Sequence, residues 1–179
     1  MDRPLLMALV VAFLLILLAL MFFGWRRRQR SQAGIPRPHT LPDDLEAASL
    51  SLSGFYVATT VAGEPLNRIA VAGLGYRARA TVGVHAAGLA LAIPGQAPIF
   101  IPATDIRSVQ KATWTIDRAV EQGGLILVRW ALGNAGADQL EVESYLRFGD
   151  DSEALFESVQ ELHATSQPSS ATQAGGRAQ

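Results

Sequence analysis

The feature that most constrains this chain is an uninterrupted apolar run near its amino terminus. Residues 5–23 read LLMALVVAFLLILLALMFF and contain no charged residue and no proline. As an α-helix, such a run covers the roughly 30 Å of hydrocarbon in a bilayer, because each residue adds about 1.5 Å. The run therefore predicts a transmembrane helix over residues 5–23, preceded by a short segment of residues 1–4.

A cleaved signal peptide is the alternative interpretation of this run. Secretory signals have a basic start, a shorter apolar core and small residues at the cleavage site. Here only Arg3 precedes the run as a basic residue, and the bulky residues Phe22, Phe23 and Trp25 end it. Aromatic residues followed by arginines are typical of the cytoplasmic end of a membrane helix. We therefore expect an uncleaved single-pass anchor in a bacterial plasma membrane, with the amino terminus outside and the rest of the chain in the cytoplasm.

The basic cluster after the run has two interpretations, which are compatible with each other. Each cation near an anionic leaflet contributes about 1 kcal/mol to membrane binding, so the cluster is a candidate contact with anionic lipid. The simpler interpretation is that it only stops translocation and sets the orientation. The residues concerned are Arg26, Arg27, Arg28 and Arg30.

Composition excludes several classes of function. The 179 residues carry a net charge of -1 and contain no cysteine. A nucleic-acid-binding surface requires clustered cations, which are absent outside the juxtamembrane segment, so we expect no nucleic-acid partner. Without cysteine the chain has no disulfide, no thiolate nucleophile and no cysteine-ligated metal.

Motifs for catalysis or cofactor binding are also missing. The segment Gly73-Leu74-Gly75 lacks the third glycine of a dinucleotide loop, and no serine lies in a G-x-S-x-G elbow. His39, His85 and His163 do not have the spacing of metal ligands. We expect no enzymatic activity, no cofactor, no metal and no small-molecule substrate.

Residues 24–50 predict a basic juxtamembrane and proline-rich linker. Pro36, Pro38 and Pro42 are spaced so that no helix can propagate through this segment. At the boundary between this linker and the domain that follows, residues 45–53 are interpreted as a short turn of helix.

Residues 51–164 predict one folded domain, which is mainly β. In residues 77–84, the sequence RARATVGV places Ala78, Ala80, Val82 and Val84 on one face and Arg77, Arg79 and Thr81 on the other, which faces water. Similar segments bounded by Gly, Pro, Asn and Asp predict about seven antiparallel strands. They are residues 55–61, 77–84, 89–93, 99–101, 106–116, 125–132 and 140–148.

The domain is predicted to end in a helix. Acidic and hydroxyl residues at 150–153 can cap a helix, and Leu155, Val159 and Leu162 fall on one helical face. Short strands followed by one amphipathic helix favour a small barrel that the helix covers. Residues 165–179 have no apolar period and predict a disordered tail.

Three stretches resemble a known family: YVATTVAGEPLNRIAVAGLGYRARA at 56–80, IFIPATDI at 99–106 and GGLILVRWALGN at 123–134. They are similar to single-pass membrane proteins of actinobacteria with a pleckstrin-homology-like (PH-like) domain, often described as membrane or export proteins. The resemblance implies a PH-like small antiparallel barrel with a carboxy-terminal helix, and no particular chemistry.

Two residues are candidates for a partner-binding surface. Trp114 lies in an irregular stretch, and Arg129 points away from the face on which Trp130 alternates with Val128 and Leu132. Trp130 is therefore predicted to pack in the core. A phosphoinositide site is disfavoured, since residues 62–68 contain one acid and one arginine.

These observations favour a membrane-anchored, non-enzymatic interaction module that binds or localises a protein partner. The alternative is an accessory subunit of a transport or export system, which would require a multi-span partner or oligomers because one helix cannot form a translocation path. A lipid-headgroup sensor or a hydrolytic enzyme is the third interpretation, and a polar pocket with convergent ionisable groups would distinguish it.

Overall fold

The computed structural model describes residues 3–31, 34–70, 73–112, 124–133 and 139–167. The chain divides into two compact units, Met1–Ile35 and Pro36–Gln179. The tail predicted over residues 165–179 lies outside the described residues from position 168 onward.

The first unit is the helix α1, Arg3–Ser31. Its apolar side chains are exposed, including Leu9 at 65%, Leu14 at 57% and Leu20 at 63%. Over the residues that the structure describes, no helix combines the length and the apolar content required to cross a bilayer. A helix over residues 5–23 is present, and its transmembrane role stays a prediction.

The second unit is built on one antiparallel sheet with nine strands in the described residues. The strands are β1 (His39–Thr40), β2 (Leu50–Val61), β3 (Glu64–Arg68), β4 (Ala78–His85), β5 (Gly88–Ala92), β6 (Ile99–Pro102), β7 (Ile106–Ala112), β8 (Leu125–Leu132) and β9 (Leu140–Arg147). Their order in the sheet is β1-β6-β5-β4-β2-β9-β8-β7, and β3 pairs with β2 outside this path.

The helix α2, Ser152–Ser166, packs on this sheet. It contacts β7, β2, β4 and β8, and Leu155, Val159 and Leu162 are buried as the helical period predicts. Lys111 on β7 binds Glu153 on α2, with its Nζ 2.7 Å from the Oε1 of that carboxylate. The predicted mainly β domain with a carboxy-terminal helix is therefore confirmed.

The structure adds two short strands to the seven that the sequence predicts. In the segment interpreted as a linker, His39 and Thr40 form β1 and pair with Phe100 and Ile99 of β6. Pro38 and Pro42 flank this pair of residues, and prolines favour extended backbone but donate no hydrogen bond, so the strand is short. The other added strand, β3, follows the turn at Gly63, which has a φ of +77°.

The helical turn interpreted at residues 45–53 is wrong, because β2 begins at Leu50. Leu50 and Leu52 are partly buried while Ser51 and Ser53 are exposed, which is the period of a strand. Pairing of Leu50 with Val84 and of Leu52 with Val82 continues the ladder with β4 over this segment.

The capped helix start predicted at residues 150–153 also differs from the structure. A 3-10 turn, Gly149–Asp151, precedes α2, and Asp151 makes no side-chain cap hydrogen bond. Its φ of -81° and ψ of 0° are already helical, whereas a capping residue needs an extended backbone. The negative charges of the acidic residues at this end still stabilise α2, because the amino terminus of a helix has a partial positive charge.

Candidate functional site

The most distinctive surface feature of the second unit is a phenylalanine with two arginines stacked on it. Phe55 on β2 lies opposite Arg79 on β4, and the Arg79 Cζ is 5.8 Å from the ring centroid. Arg77, just before β4, places its Cζ 5.0 Å from the same centroid. Guanidinium groups at these distances are attracted by the negative face of an aromatic ring.

A third arginine completes a row across three strands. Phe55 also lies opposite Arg147 of β9, so the ring stands between Arg79 and Arg147. All three arginines are exposed. Among the residues that the structure describes, no acidic side chain forms an ion pair with any of them. Their charge is therefore left for solvent or for a ligand.

Beside these arginines the surface forms a groove with a volume of about 580 Å³. Its lining includes Phe55, Arg79, Ser53 and Thr81, the last two with hydroxyl oxygens 3.3 Å apart, and the turn Pro94–Gly95–Gln96. We use the name arginine groove for this groove together with the neighbouring arginines that do not line it, and define it by Ser53, Phe55, Arg77, Arg79, Thr81 and Arg147.

Local sequence explains why these side chains share one face. The alternation along β4 buries Ala80 and Val82, which leaves Arg79 and Thr81 outside, as the sequence predicts. Next to Phe55, the lack of a side chain at Gly54 allows β2 to approach β9 closely. A Cβ atom there would lie 2.6 Å from the carbonyl oxygen of Arg147 and 2.7 Å from Cδ1 of Phe148.

The opposite face of β2 carries a buried chain of hydrogen bonds. Trp130 Nε1 donates to Ser144 Oγ at 2.9 Å, and Ser144 Oγ lies 2.7 Å from Thr59 Oγ1. Thr59 Oγ1 is in turn 2.7 Å from the Tyr56 hydroxyl, which donates to the carbonyl of Leu74 at 2.9 Å. Because a tyrosine hydroxyl has one proton, Tyr56 accepts from Thr59 while it donates to Leu74.

This series of hydrogen bonds stabilises the fold. Burial raises the pKa of Tyr56 far above its usual value of 10.0, so its hydroxyl stays protonated. Each hydroxyl in the series donates once and accepts once. Leu74 belongs to the Gly73–Gly75 segment, which forms a turn in the structure.

The predicted partner residue Arg129 is already paired within the domain. Its Nε donates to Glu143 Oε1 at 3.1 Å, and the Glu143 side chain is only 8% exposed. Burial, and next the neighbouring Glu143 charge, raise the pKa of Tyr145 on the same strand. Arg129 thus contributes first to the neutralisation of a buried acid.

The other predicted residues fall in different places. Trp130 is 0% exposed, which confirms its predicted core position. Trp114 lies outside the described residues, so its role as a partner surface stays a prediction.

The juxtamembrane arginines lie within α1, where Arg26 is exposed. The side chains of the other members of this cluster lie outside the described part of the structure: Arg27, Arg28 and Arg30. Their contact with anionic lipid stays a prediction.

The histidines have separate surroundings. His39 Nε2 is 3.6 Å from Asp105 Oδ2, and His85 Nδ1 is 2.7 Å from the carbonyl oxygen of Glu46. Within the described ranges, no three His, Asp or Glu side chains are grouped as a metal site would require.

Sequence reasoning placed Arg77 and Arg79 on the wet face of a strand but missed the arginine groove. The sequence does contain part of the information needed. Residues 77–79 read Arg-Ala-Arg, which in a strand places two cations on the same face. What the sequence lacks is the pairing that brings Phe55 and Arg147 beside them, because these contacts join distant parts of the chain.

Comparison with known proteins identifies the domain. The family model described as "Bacterial PH domain-like" matches residues 35–163. No curated protein shows significant similarity to the chain. Among solved structures, a chain of "The 8S snRNP Assembly Intermediate" is 11% identical with a TM-score of 0.44, covering 78% of this chain and 97% of that chain. A likeness this distant carries no functional information. The match over residues 35–163 shows that this chain belongs to the Bacterial PH domain-like family.

Proposed function

We propose that this chain is a membrane-anchored, non-enzymatic PH-like module that binds a protein partner at the cytoplasmic face of a bacterial plasma membrane. A PH-like domain indicates a module that interacts with proteins or lipids. The proposal adds an anchor, an orientation and a choice of ligand class to that general role.

The anchor is supported by the sequence and exposure of α1. Residues 5–23 have no charge, and the described apolar side chains are exposed around the helix, as at Phe13 with 57% and Leu18 with 59%. Apolar surface of this extent requires lipid or another apolar surface as a partner. The arginines that follow favour the cytoplasm for the rest of the chain.

The arginine groove is the main observation in favour of a role in binding. Three exposed arginines surround a partly buried phenylalanine, and none has an acidic partner within the part of the chain that the structure describes. A cationic surface with an aromatic centre is suited to an acidic ligand, because guanidinium groups bind carboxylates through charge-assisted hydrogen bonds. Arginine and phenylalanine are also enriched at protein interfaces.

Two measurements on native membranes test this proposal. Protease treatment of inside-out and right-side-out vesicles reports the side of the domain, and we expect cleavage of a tag after position 167 only in inside-out vesicles. Cleavage only in right-side-out vesicles would contradict the cytoplasmic orientation.

The second measurement is affinity capture of the full chain after cross-linking in membranes, with residues 1–50 alone as the control. We expect the full chain to retain a protein that the control does not. Equal recovery by both would mean that the domain binds no protein partner.

A further inference from the structure

The arginine groove has the geometry of a site for an extended ligand with several separated negative charges. Arg77 and Arg79 are two residues apart, so strand geometry spaces their backbones by about 6.5 Å. Arg79 and Arg147 lie on strands to either side of β2, which places their backbones about 10 Å apart. The backbones of the three arginines are therefore spread over the surface, while the guanidiniums of Arg77 and Arg79 both lie near the Phe55 ring.

The spread of the three backbones favours several separated negative charges over a single phosphate group. Tight phosphate sites bring donors onto one small group of oxygens, with N–O distances of about 2.7–2.9 Å. Here two guanidiniums are held over the Phe55 ring, at 5.0 and 5.8 Å from its centroid, and Arg147 lies beyond the ring on β9. The residues that line the groove include Ser53 and Thr81, whose hydroxyls are neutral, and Arg79 is the only cation among them.

An extended acidic peptide matches this spread of the arginine backbones. Side chains on one face of an extended chain recur every second residue, at about 6.5–7 Å, which is the backbone spacing of Arg77 and Arg79. Two carboxylates at alternate positions can each meet one guanidinium, and arginine binds carboxylate with paired N–H donors. An apolar side chain on the same face, two residues beyond this pair, would lie towards Phe55, which is only partly buried.

The chain does not supply this ligand from its own carboxy terminus. Residues 168–179 read PSSATQAGGRAQ and contain one arginine and no acid. Residues 168–179 therefore do not have the charge of the ligand, and charge complementarity to the arginines favours an acidic segment of another protein.

We propose that the arginine groove binds an extended acidic segment of a partner protein, with carboxylates at alternate positions paired to Arg77 and Arg79 and with Arg147 at one side. This inference rests on the proposed function, of which it names the ligand chemistry and the binding surface.

The test is peptide binding to the full chain in nanodiscs made of zwitterionic lipid. The probe is a labelled synthetic peptide in which Glu alternates with Thr around a central Phe, and its control has Gln in place of Glu. We expect the acidic peptide to bind and the Gln peptide not to. The double variant Arg77→Gln/Arg79→Gln should weaken binding about tenfold, the effect of two exposed ion pairs near the upper end of their range.

Arg107→Gln is the control variant, because it removes another exposed arginine, which lies outside the arginine groove and donates to the Thr104 carbonyl. It should leave the affinity unchanged. Equal weakening by Arg107→Gln and the double variant would show general charge attraction and would overturn the inference.

Competition with inositol trisphosphate separates a peptide from a lipid headgroup. We expect no displacement of the peptide at comparable concentration, and displacement at lower concentration would reassign the groove to lipid. If the acidic peptide does not bind but cross-linking in membranes still captures a partner, the inference fails and the proposed function stands. If neither occurs, both fail.

Discussion

The two faces of β2 present neighbouring aromatic residues to opposite environments. Tyr56 points into the domain, where its hydroxyl is part of a buried chain of hydrogen bonds from Trp130 to Leu74. Phe55 points outward, where two arginines stack on it and a third lies opposite on β9. On the inner face, each polar group in this series of hydrogen bonds has a partner. Outside, the cations have no acidic partner among the residues that the structure describes.

This difference separates residues that hold the fold from residues that are available for binding. A buried polar group without a partner costs stability, so the hydrogen bonds from Trp130 to Leu74 contribute to the fold. An exposed cation costs little when unpaired, so it can be kept for a ligand. Substitutions on the inner face should therefore change stability, and those on the outer face should change binding.

The largest expected effect on stability is at Trp130. Trp130→Ala should lower the free energy of unfolding by about 3–5 kcal/mol, because it leaves a cavity and removes the donor to Ser144. Trp130→Phe, which keeps much of the ring volume, should cost less. Urea unfolding of the full chain in a non-ionic detergent measures both, and a loss below about 1 kcal/mol for Trp130→Ala would contradict the buried position.

Tyr56→Phe should have the next largest effect. It removes the hydrogen bond to the Leu74 carbonyl and the acceptor for Thr59, which should cost about 1–3 kcal/mol. Tyr76→Phe is the matched control, since Tyr76 is 77% exposed, and it should change stability by less than about 0.5 kcal/mol. Equal effects at the two tyrosines would mean that the inner chain contributes nothing to stability.

Alkaline pH should weaken the fold through the same tyrosine. Native Tyr56 keeps its proton because burial raises its pKa, whereas in the unfolded chain it ionises near the usual value of 10.0. The native state then binds more protons, so its stability is unaffected below pH 10 and falls as the pH rises above it. The contribution of Tyr56 is up to about 1.4 kcal/mol per pH unit.

Urea unfolding at pH 9 and pH 11 measures this dependence. The chain with Tyr56→Phe should lose less stability over that interval than the unsubstituted chain. The same loss in both would assign the alkaline effect to other groups.

The smallest expected effect on stability is at the outer face. Arg77→Gln and Arg79→Gln should each cost no more than about 1 kcal/mol, the usual value of an exposed cation–π contact. Arg129→Gln should cost more, because it leaves the buried Glu143 without its cation. Thermal unfolding of these variants in parallel checks the order, and a larger loss at Arg79 than at Arg129 would reverse it.

Much of the fold could be predicted from local pattern. The bounds of β8, Leu125–Leu132, are those predicted, and the buried face of α2 follows the spacing of Leu155, Val159 and Leu162. These segments are long enough for their period to be unambiguous. Short segments such as β1 were missed, because two residues show no period and are fixed only by pairing with β6.

The two polar features were harder to predict because they depend on register. Thr59 and Ser144 are far apart in sequence and become hydrogen-bond partners only when β2 pairs with β9. The same pairing brings Arg147 beside Phe55. A single sequence gives each strand's faces but not which strands are neighbours.

The most direct test of the account is photocross-linking in native membranes from a benzophenone side chain at position 81, in the arginine groove, compared with position 160, exposed on α2. The account predicts a protein adduct from position 81 that Arg77→Gln/Arg79→Gln diminishes, and no such adduct from position 160. Adducts to lipid alone, or equal protein adducts from both positions, would contradict the claim that the arginine groove binds a protein partner.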